Sequence, residues 1–196
     1  MPAWPAACAA GVVWLAGPAW AADAKEIAAT VCQACHGEGG NSVVPMFPRL
    51  AGLQAEYLAK QLSDFLDGKR KNDLMAPSLA SISSGDVRGL AAYFAGQKPA
   101  KGTAGDPKLA DKGKVLYDDG NVDTGVPACV GCHQPEGAGN ERYPRLAGQH
   151  AAYTAAQMSA FKAGTRTNDR AKVMRAVAER LTEQEIAALS EYLAGM

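Results

Sequence analysis

The apolar and polar positions of the chain read as a series of short helices separated by long loops, and no stretch shows the two-residue alternation of a half-buried strand. Three helices are predicted in the first half. They run from about residue 23 to 32, from about 54 to 66 with Gly68 behind, and from about 86 to 95 with Gly96 behind. The second half repeats the scheme at about 107–117, 149–163 and 183–194, the last opened by Thr182 and Glu185 in capping-box spacing. The predicted class is all-α. A loop from Asp118 to Ala128 has no counterpart in the first half.

The opening segment departs from this pattern. Residues 1–22 carry no charged side chain and run through Val12, Val13, Trp14 and Leu15 to Ala19 and Ala21, small residues suited to a signal peptidase. The apolar core is too short to span a bilayer and Pro18 breaks it. The segment reads as an export signal, with an uncleaved anchor as the alternative and no Lys or Arg before the apolar core. Cleavage near Ala21 or Ala22 removes Cys8, and the mature chain is expected in the periplasm. In composition the 196 residues are those of a soluble helical protein, with 47% apolar and 20% charged side chains and a net charge of zero. Each half is nearly balanced, so nucleic acid is not an expected partner.

Internal repetition is the strongest organisational signal. From Pro48 to Asp73, fifteen of 26 positions recur identically at an offset of 96. Pro48, Arg49, Leu50, Ala51 and Gly52 return as Pro144, Arg145, Leu146, Ala147 and Gly148, and Tyr57, Gln61, Phe65, Gly68, Arg70 and Asn72 return as Tyr153, Gln157, Phe161, Gly164, Arg166 and Asn168. The chain is therefore read as two homologous units, 23–97 and 108–196, joined by a solvated linker at 98–107 rich in Gly, Pro and Lys.

The repeat carries chemistry. Cys32-Gln33-Ala34-Cys35-His36 and Cys129-Val130-Gly131-Cys132-His133 both match C-x-x-C-H. Two thiols at this spacing add across the vinyl groups of a haem, and the adjacent histidine then lies beneath the iron. A dithiol redox motif, a structural disulfide pair and a four-cysteine zinc site are the competing readings. The first wants a β-α-β context that this chain lacks, and none requires the histidine twice. Two haem c groups are the expected cofactors, held by Cys32, Cys35, Cys129 and Cys132, with His36 and His133 as proximal iron ligands.

Methionine supplies the opposite ligand in the expected scheme. Met75 lies 39 residues after His36 and Met174 lies 41 after His133, each seven positions before an apolar residue that precedes the last helix, Ile82 or Leu181. Met46 and Met158 are not duplicated as methionine and are read as packing. His150, aligned with Gln54, is read as a surface residue. Pro48 and Pro144 offer carbonyls to the imidazole N–H groups, although each also serves as a loop stiffener. Leu50 and Leu146 are expected against the porphyrin edge. Arg70 and Arg166, with Asn72 and Asn168, are read as propionate contacts or as solvated loop residues. Each unit is short of large apolar side chains, so its folding is expected to depend on haem.

With these motifs in place the chain resembles the dihaem cytochrome c4 family over essentially all of the mature sequence. The resemblance implies two class I cytochrome c domains related by a pseudo-twofold, haems near the domain interface, and single-electron transport in the periplasm with loose membrane association. It implies a quinol–cytochrome c oxidoreductase or a dehydrogenase as donor and a haem-copper terminal oxidase as acceptor. The alternative is the cytochrome subunit of a sulfide- or alcohol-oxidising enzyme. A dihaem peroxidase fits poorly, because after the two proximal histidines only His150 remains for acid–base work. Departures from the family pattern are local: Leu74-Met75-Ala76-Pro77 in the first unit, and Arg170 to Val173 inserted before Met174 in the second.

Overall fold

A computed structural model describes Met1 and residues 20–196. The expected export signal, Cys8 included, lies outside the described residues except for its last three, which open the first helix. In the first unit α1 (Trp20–Ile27) continues through a π-helical stretch, Ala28–Cys32, into the single turn α2 (Gln33–His36). Helices α3 (Ala55–Leu66), α4 (Ala76–Leu79) and α5 (Val87–Ala95) follow. The second unit holds α6 (Pro107–Asp119), α7 (Val130–His133), α8 (Ala151–Lys162), α9 (Val173–Ala178) and α10 (Glu183–Gly195). No strand forms among the described residues. The extra loop is closed by one isolated bridge between Asn121 and Val126.

The two units use the same packing. In the first, α1 and α3 both lie against α5; in the second, α6 and α8 both lie against α10. The α6–α10 crossing is close because Gly113 has no side chain: a Cβ there would sit 2.0 Å from the Ala188 carbonyl oxygen. Helix α10 starts as its sequence dictates, with the Thr182 hydroxyl accepting from the Glu185 N–H and the Glu185 carboxylate accepting from the Thr182 N–H.

Each core is small. Ala28, Ile82, Leu90 and Phe94 are buried in the first unit; Leu116, Tyr117, Val126, Leu181, Ile186, Leu189 and Leu193 are buried in the second. Around them stand half-buried apolar side chains, Leu50, Leu58 and Leu62 on one side and Leu146 and Met158 on the other. These line an internal cavity. Their exposed faces leave unclaimed the roughly 25 cal/mol per Å² that apolar burial contributes.

The linker is mostly exposed to solvent and is also held in place. Its backbone is tied to both units: the Asn41 amide donates to the Lys98 carbonyl and accepts from the Ala100 N–H, while Glu191 accepts from the N–H groups of Gly105 and Asp106. Gly102 passes so close to α10 that a Cβ would lie 2.0 Å from the Ala194 carbonyl oxygen. Solvated composition and fixed conformation coexist, because short residues let the backbone approach its partners.

Candidate functional site

Each C-x-x-C-H motif ends a helix. α2 stops at His36 because Gly37 takes φ 73°, and α7 stops at His133 because Gln134 takes φ 67°, a left-handed conformation that costs a non-glycine residue. The chain then folds back on itself in both units. The Gly40 carbonyl accepts from the N–H groups of Leu50 and Ala51, and the Gly137 carbonyl accepts in the same way from Leu146 and Ala147. The Gly52 N–H donates to the Phe94 carbonyl, and the Gly148 N–H to the Leu193 carbonyl. This register delivers the Pro48 carbonyl to 2.8 Å from His36 Nδ1 and the Pro144 carbonyl to 2.9 Å from His133 Nδ1.

A carbonyl only accepts, so Nδ1 of each imidazole carries the proton and Nε2 keeps its lone pair. Burial pushes both histidines below their ordinary pKa, and the hydrogen bond to proline offsets only part of that. Both imidazoles are thus neutral at neutral pH, each with an Nε2 lone pair free to donate. Cys32, Cys35, Cys129 and Cys132 form no disulfide. Burial pushes the Cys32 and Cys129 thiols up to about 11, which opposes the thiolate that dithiol exchange or zinc binding requires.

One continuous cavity of about 700 Å³ runs through both units, and His36, Met75, His133 and Met174 all line it, as do Leu50 and Leu146. Met75 is presented by an Asx turn in which the Asn72 side-chain oxygen accepts from the N–H groups of Leu74 and Met75, both at 3.0 Å. Met174 is reached differently: Asp169 accepts from the Arg175 backbone N–H and side chain, across a turn in which Ala171 and Lys172 are both left-handed. Met158 packs into the second core, whereas Met46 is 59% exposed and so is not the packing residue expected of it.

Arg70 and Arg166 line the cavity but are neither simple pocket contacts nor solvated loop residues. They cross between the units. Arg70 donates to Gln61 of its own unit and to Tyr153 and Gln157 of the other; Arg166 donates to Gln157 of its own unit and to Tyr57 and Gln61 of the other, at 2.8–3.3 Å. Each guanidinium also lies over an aromatic ring, Phe65 at 4.6 Å and Phe161 at 4.4 Å to the centroid. Burial pushes the Tyr57 hydroxyl up, but Arg166, Arg70 and Lys60 outweigh it and hold it below its ordinary value. Asn168 joins this network through Gln61 and Asp64, whereas its repeat partner Asn72 is spent on the Met75 turn.

A second reciprocal contact was not anticipated in the sequence. The Gln54 side chain accepts from the Arg145 N–H and donates to the Ala138 carbonyl. On the opposite side Gln149 accepts from the Arg49 N–H, and His150 Nε2 donates to the Ser42 carbonyl at 2.9 Å. His150 is therefore a half-buried contact between units, which corrects its assignment to the surface.

The residues fit a haem in each unit. The walls are apolar, the imidazoles are neutral, and no hydrogen-bond partner of Arg70 or Arg166 is a carboxylate. Arg145 Nε is buried at the cavity with no hydrogen-bond partner, a donor that a carboxylate-bearing ligand would satisfy. Arg145 was legible as the repeat partner of Arg49, but its identity alone assigns it no task.

Comparison with known proteins agrees. The family model described as cytochrome c matches the chain twice, over residues 21–95 and 110–196. Cytochrome c4 of Pseudomonas aeruginosa is 46% identical over 95% of this chain and 92% of its own length. A thiosulfate dehydrogenase electron acceptor of Thiomonas intermedia is 40% identical over 92% of this chain and 84% of its own. The crystal structure of reduced recombinant cytochrome c4 from Pseudomonas stutzeri superposes with a TM-score of 0.85 at 45% identity, covering 90% of this chain and 98% of that one. Duplicated motif, duplicated packing and these likenesses give one conclusion: the chain belongs to the cytochrome c4 family, two tandem cytochrome c domains that carry two haem c groups and transfer electrons.

Proposed function

We propose that this chain is an exported, periplasmic single-electron carrier that takes electrons from a quinol–cytochrome c oxidoreductase or a dehydrogenase and passes them to a haem-copper terminal oxidase. Its domains span 23–97 and 108–196, joined by 98–107. The observation that carries the reading is the pairing of two neutral, carbonyl-anchored imidazoles with two duplicated methionines along one cavity. Cys32, Cys35, Cys129 and Cys132 would hold haem there, and the group would supply one-electron ferrous–ferric chemistry.

The protein's part is positional. His36 and His133 present Nε2 in a fixed orientation because Pro48 and Pro144 hold Nδ1–H. Met75 and Met174 line the same cavity and would offer thioether ligands to haem iron, which would leave no site for oxygen or peroxide. Leu50, Leu146 and the half-buried leucines exclude water, which limits reorganisation when the charge changes. Arg70, Arg166 and Arg145 line the cavity and would offer cationic hydrogen-bond donors to haem propionates. The Tyr57, Gln61, Tyr153 and Gln157 bonds to Arg70 and Arg166 tie one domain to the other, which would keep two bound haems at a fixed separation. Among the described residues no helix is long and apolar enough to cross a membrane, and the proposal includes loose, peripheral membrane association.

The test is partner turnover. Reduced protein mixed with a haem-copper oxidase preparation should be oxidised within seconds, with one oxygen consumed per four electrons. A second reading, acceptor for a periplasmic dehydrogenase, is favoured by the thiosulfate dehydrogenase electron acceptor among the relatives. Rapid reduction by such an enzyme together with inertness toward the oxidase would replace the first reading by the second.

A further inference from the structure

The cavity lining includes exposed residues in both units, and these two sets, here called its mouths, differ in chemistry. The first mouth is bordered by Met46 and Leu74, 59% and 57% exposed, with Val43 and Val44 exposed beside them. Its one exposed charged lining residue is Glu56, with Lys71 and Asp73 exposed on the loop that carries Leu74; Lys69, paired with Asp67 at 2.7 Å, shares a surface pocket with Arg170. The second mouth is bordered by Glu141, Arg142, Arg170 and Val173, with Lys172 exposed on the same turn. Arg142, Arg170 and Lys172 make no ion pair among the described residues. Asp169, the other acid of this segment, is buried and consumed by Arg175. The repeat sharpens the contrast, since Arg142 occupies the position of Met46 and Arg170 to Lys172 belong to the insertion that only the second unit has.

We propose that the second mouth, with Arg142, Arg170 and Lys172 around Val173, is the docking surface for an acidic one-electron redox protein; this rests on the electron-carrier reading above. Three unpaired cations against the exposed carboxylate of Glu141, beside a Lys69–Asp67 pair that cancels itself, give the mouth a local positive field in a chain of zero net charge. Val173, 39% exposed, supplies an apolar centre inside a charged rim, the usual anatomy of an interface. The turn that carries the cations is held in an unfavourable backbone: Ala171 and Lys172 take φ 52° and 61°, which neither glycine freedom nor a side-chain cap explains. An anionic membrane is the less apt occupant. Polybasic membrane segments cluster about four to eight cations, more than this rim holds. The transfer needs no co-reactant: the partner's centre loses one electron, a ferric haem gains it, and no bond or proton moves.

A plant-type ferredoxin is a suitable probe, being acidic and a one-electron donor. Its second-order rate of reduction of the oxidised dihaem protein at about 0.01 M ionic strength should fall at least ~10-fold in the triple variant Arg142→Glu, Arg170→Glu, Lys172→Glu, with a shallower salt dependence. A Lys108→Glu, Lys112→Glu variant, altered on α6, no residue of which lines the cavity, should keep the wild-type rate. Reduction by durohydroquinone, which is neutral, should be equal in all three proteins; this separates failed docking from failed electron transfer, because haems that accept electrons only from the neutral donor still support the carrier reading. Equal ferredoxin rates in the triple variant and wild type would overturn the proposal, as would a larger loss in the Lys108, Lys112 variant. Vesicles of mixed phosphatidylglycerol and phosphatidylcholine should not retain the wild-type protein at about 0.15 M salt; retention that the triple substitution abolishes would assign the patch to a lipid surface instead.

Discussion

Replacing Met174 by alanine should remove half of the weak sulfur-to-iron absorption band of the oxidised protein and lower the potential of one haem while leaving the other near its wild-type value. The same should hold for Met75→Ala on the other iron. The thioether stabilises the ferrous state, and axial ligand choice moves haem potentials over a span of roughly 0.8 V, so this is a large change. The vacated position also makes that iron a carbon monoxide binder. Met46→Ala and Met158→Ala are the controls: Met46 is exposed and Met158 is engaged in core packing, so neither substitution should alter the band. Loss of the band in Met46→Ala in place of Met75→Ala would show that the repeat alignment misplaces the first ligand.

The second large effect is on folding. Cys32→Ala or Cys129→Ala should reduce the intact mass by one haem and disorder the domain that loses it, read as a halved Soret absorbance with lost helical circular dichroism. The reason lies in the small cores. Only Ala28, Ile82, Leu90 and Phe94 form the buried cluster of the first domain, while Leu50, Leu58 and Leu62 face the cavity and lack a partner without the porphyrin. The second domain has the larger cluster, built on Tyr117, Leu181, Ile186, Leu189 and Leu193. Haem loss should therefore cost the first domain more helix than the second. A Cys32→Ala protein with full helical content would contradict this account of the core.

The long helices were legible because their determinants are local. Glycine stops behind α3 and α5, Pro107 at the start of α6 and the Thr182–Glu185 box each act within a turn or two of the residue concerned. The duplicated pentapeptide and the proline one register downstream were equally readable, since the chemistry of the motif constrains the residue types. The π-helical stretch at Ala28–Cys32 and the short helices α4 and α9 were not, because they answer to the geometry of the loops that carry the cysteines and methionines. The cross-domain pairs were hidden for another reason. Tyr57 with Arg166 and Tyr153 with Arg70 are separated by 109 and 83 residues, and a repeat shows only that positions are equivalent, not that they meet. Arg49 and Arg145, identical in the repeat, differ in the structure: Arg49 spends its guanidinium on carbonyls of Ser42 and Gly148, while Arg145 keeps a buried N–H free.

The interface network also explains why the two halves are unlike. Lys60 and Asp64 have alanines at the equivalent positions, Ala156 and Ala160. Asp64 is buried and bonds both Lys60 and Asn168, so one side of the pseudo-twofold carries an extra ionic cluster that the other lacks. Two haems bound in such unlike surroundings should differ in potential, which a redox titration would read as two separate midpoints.

The central claim is that all four axial positions are filled by this chain's own side chains and that the protein therefore carries electrons without acting on a small substrate. Exposure of the fully reduced wild-type protein to carbon monoxide at neutral pH tests it most directly. The account predicts an unchanged visible spectrum on both haems; rapid formation of a carbon monoxide complex on either would contradict it.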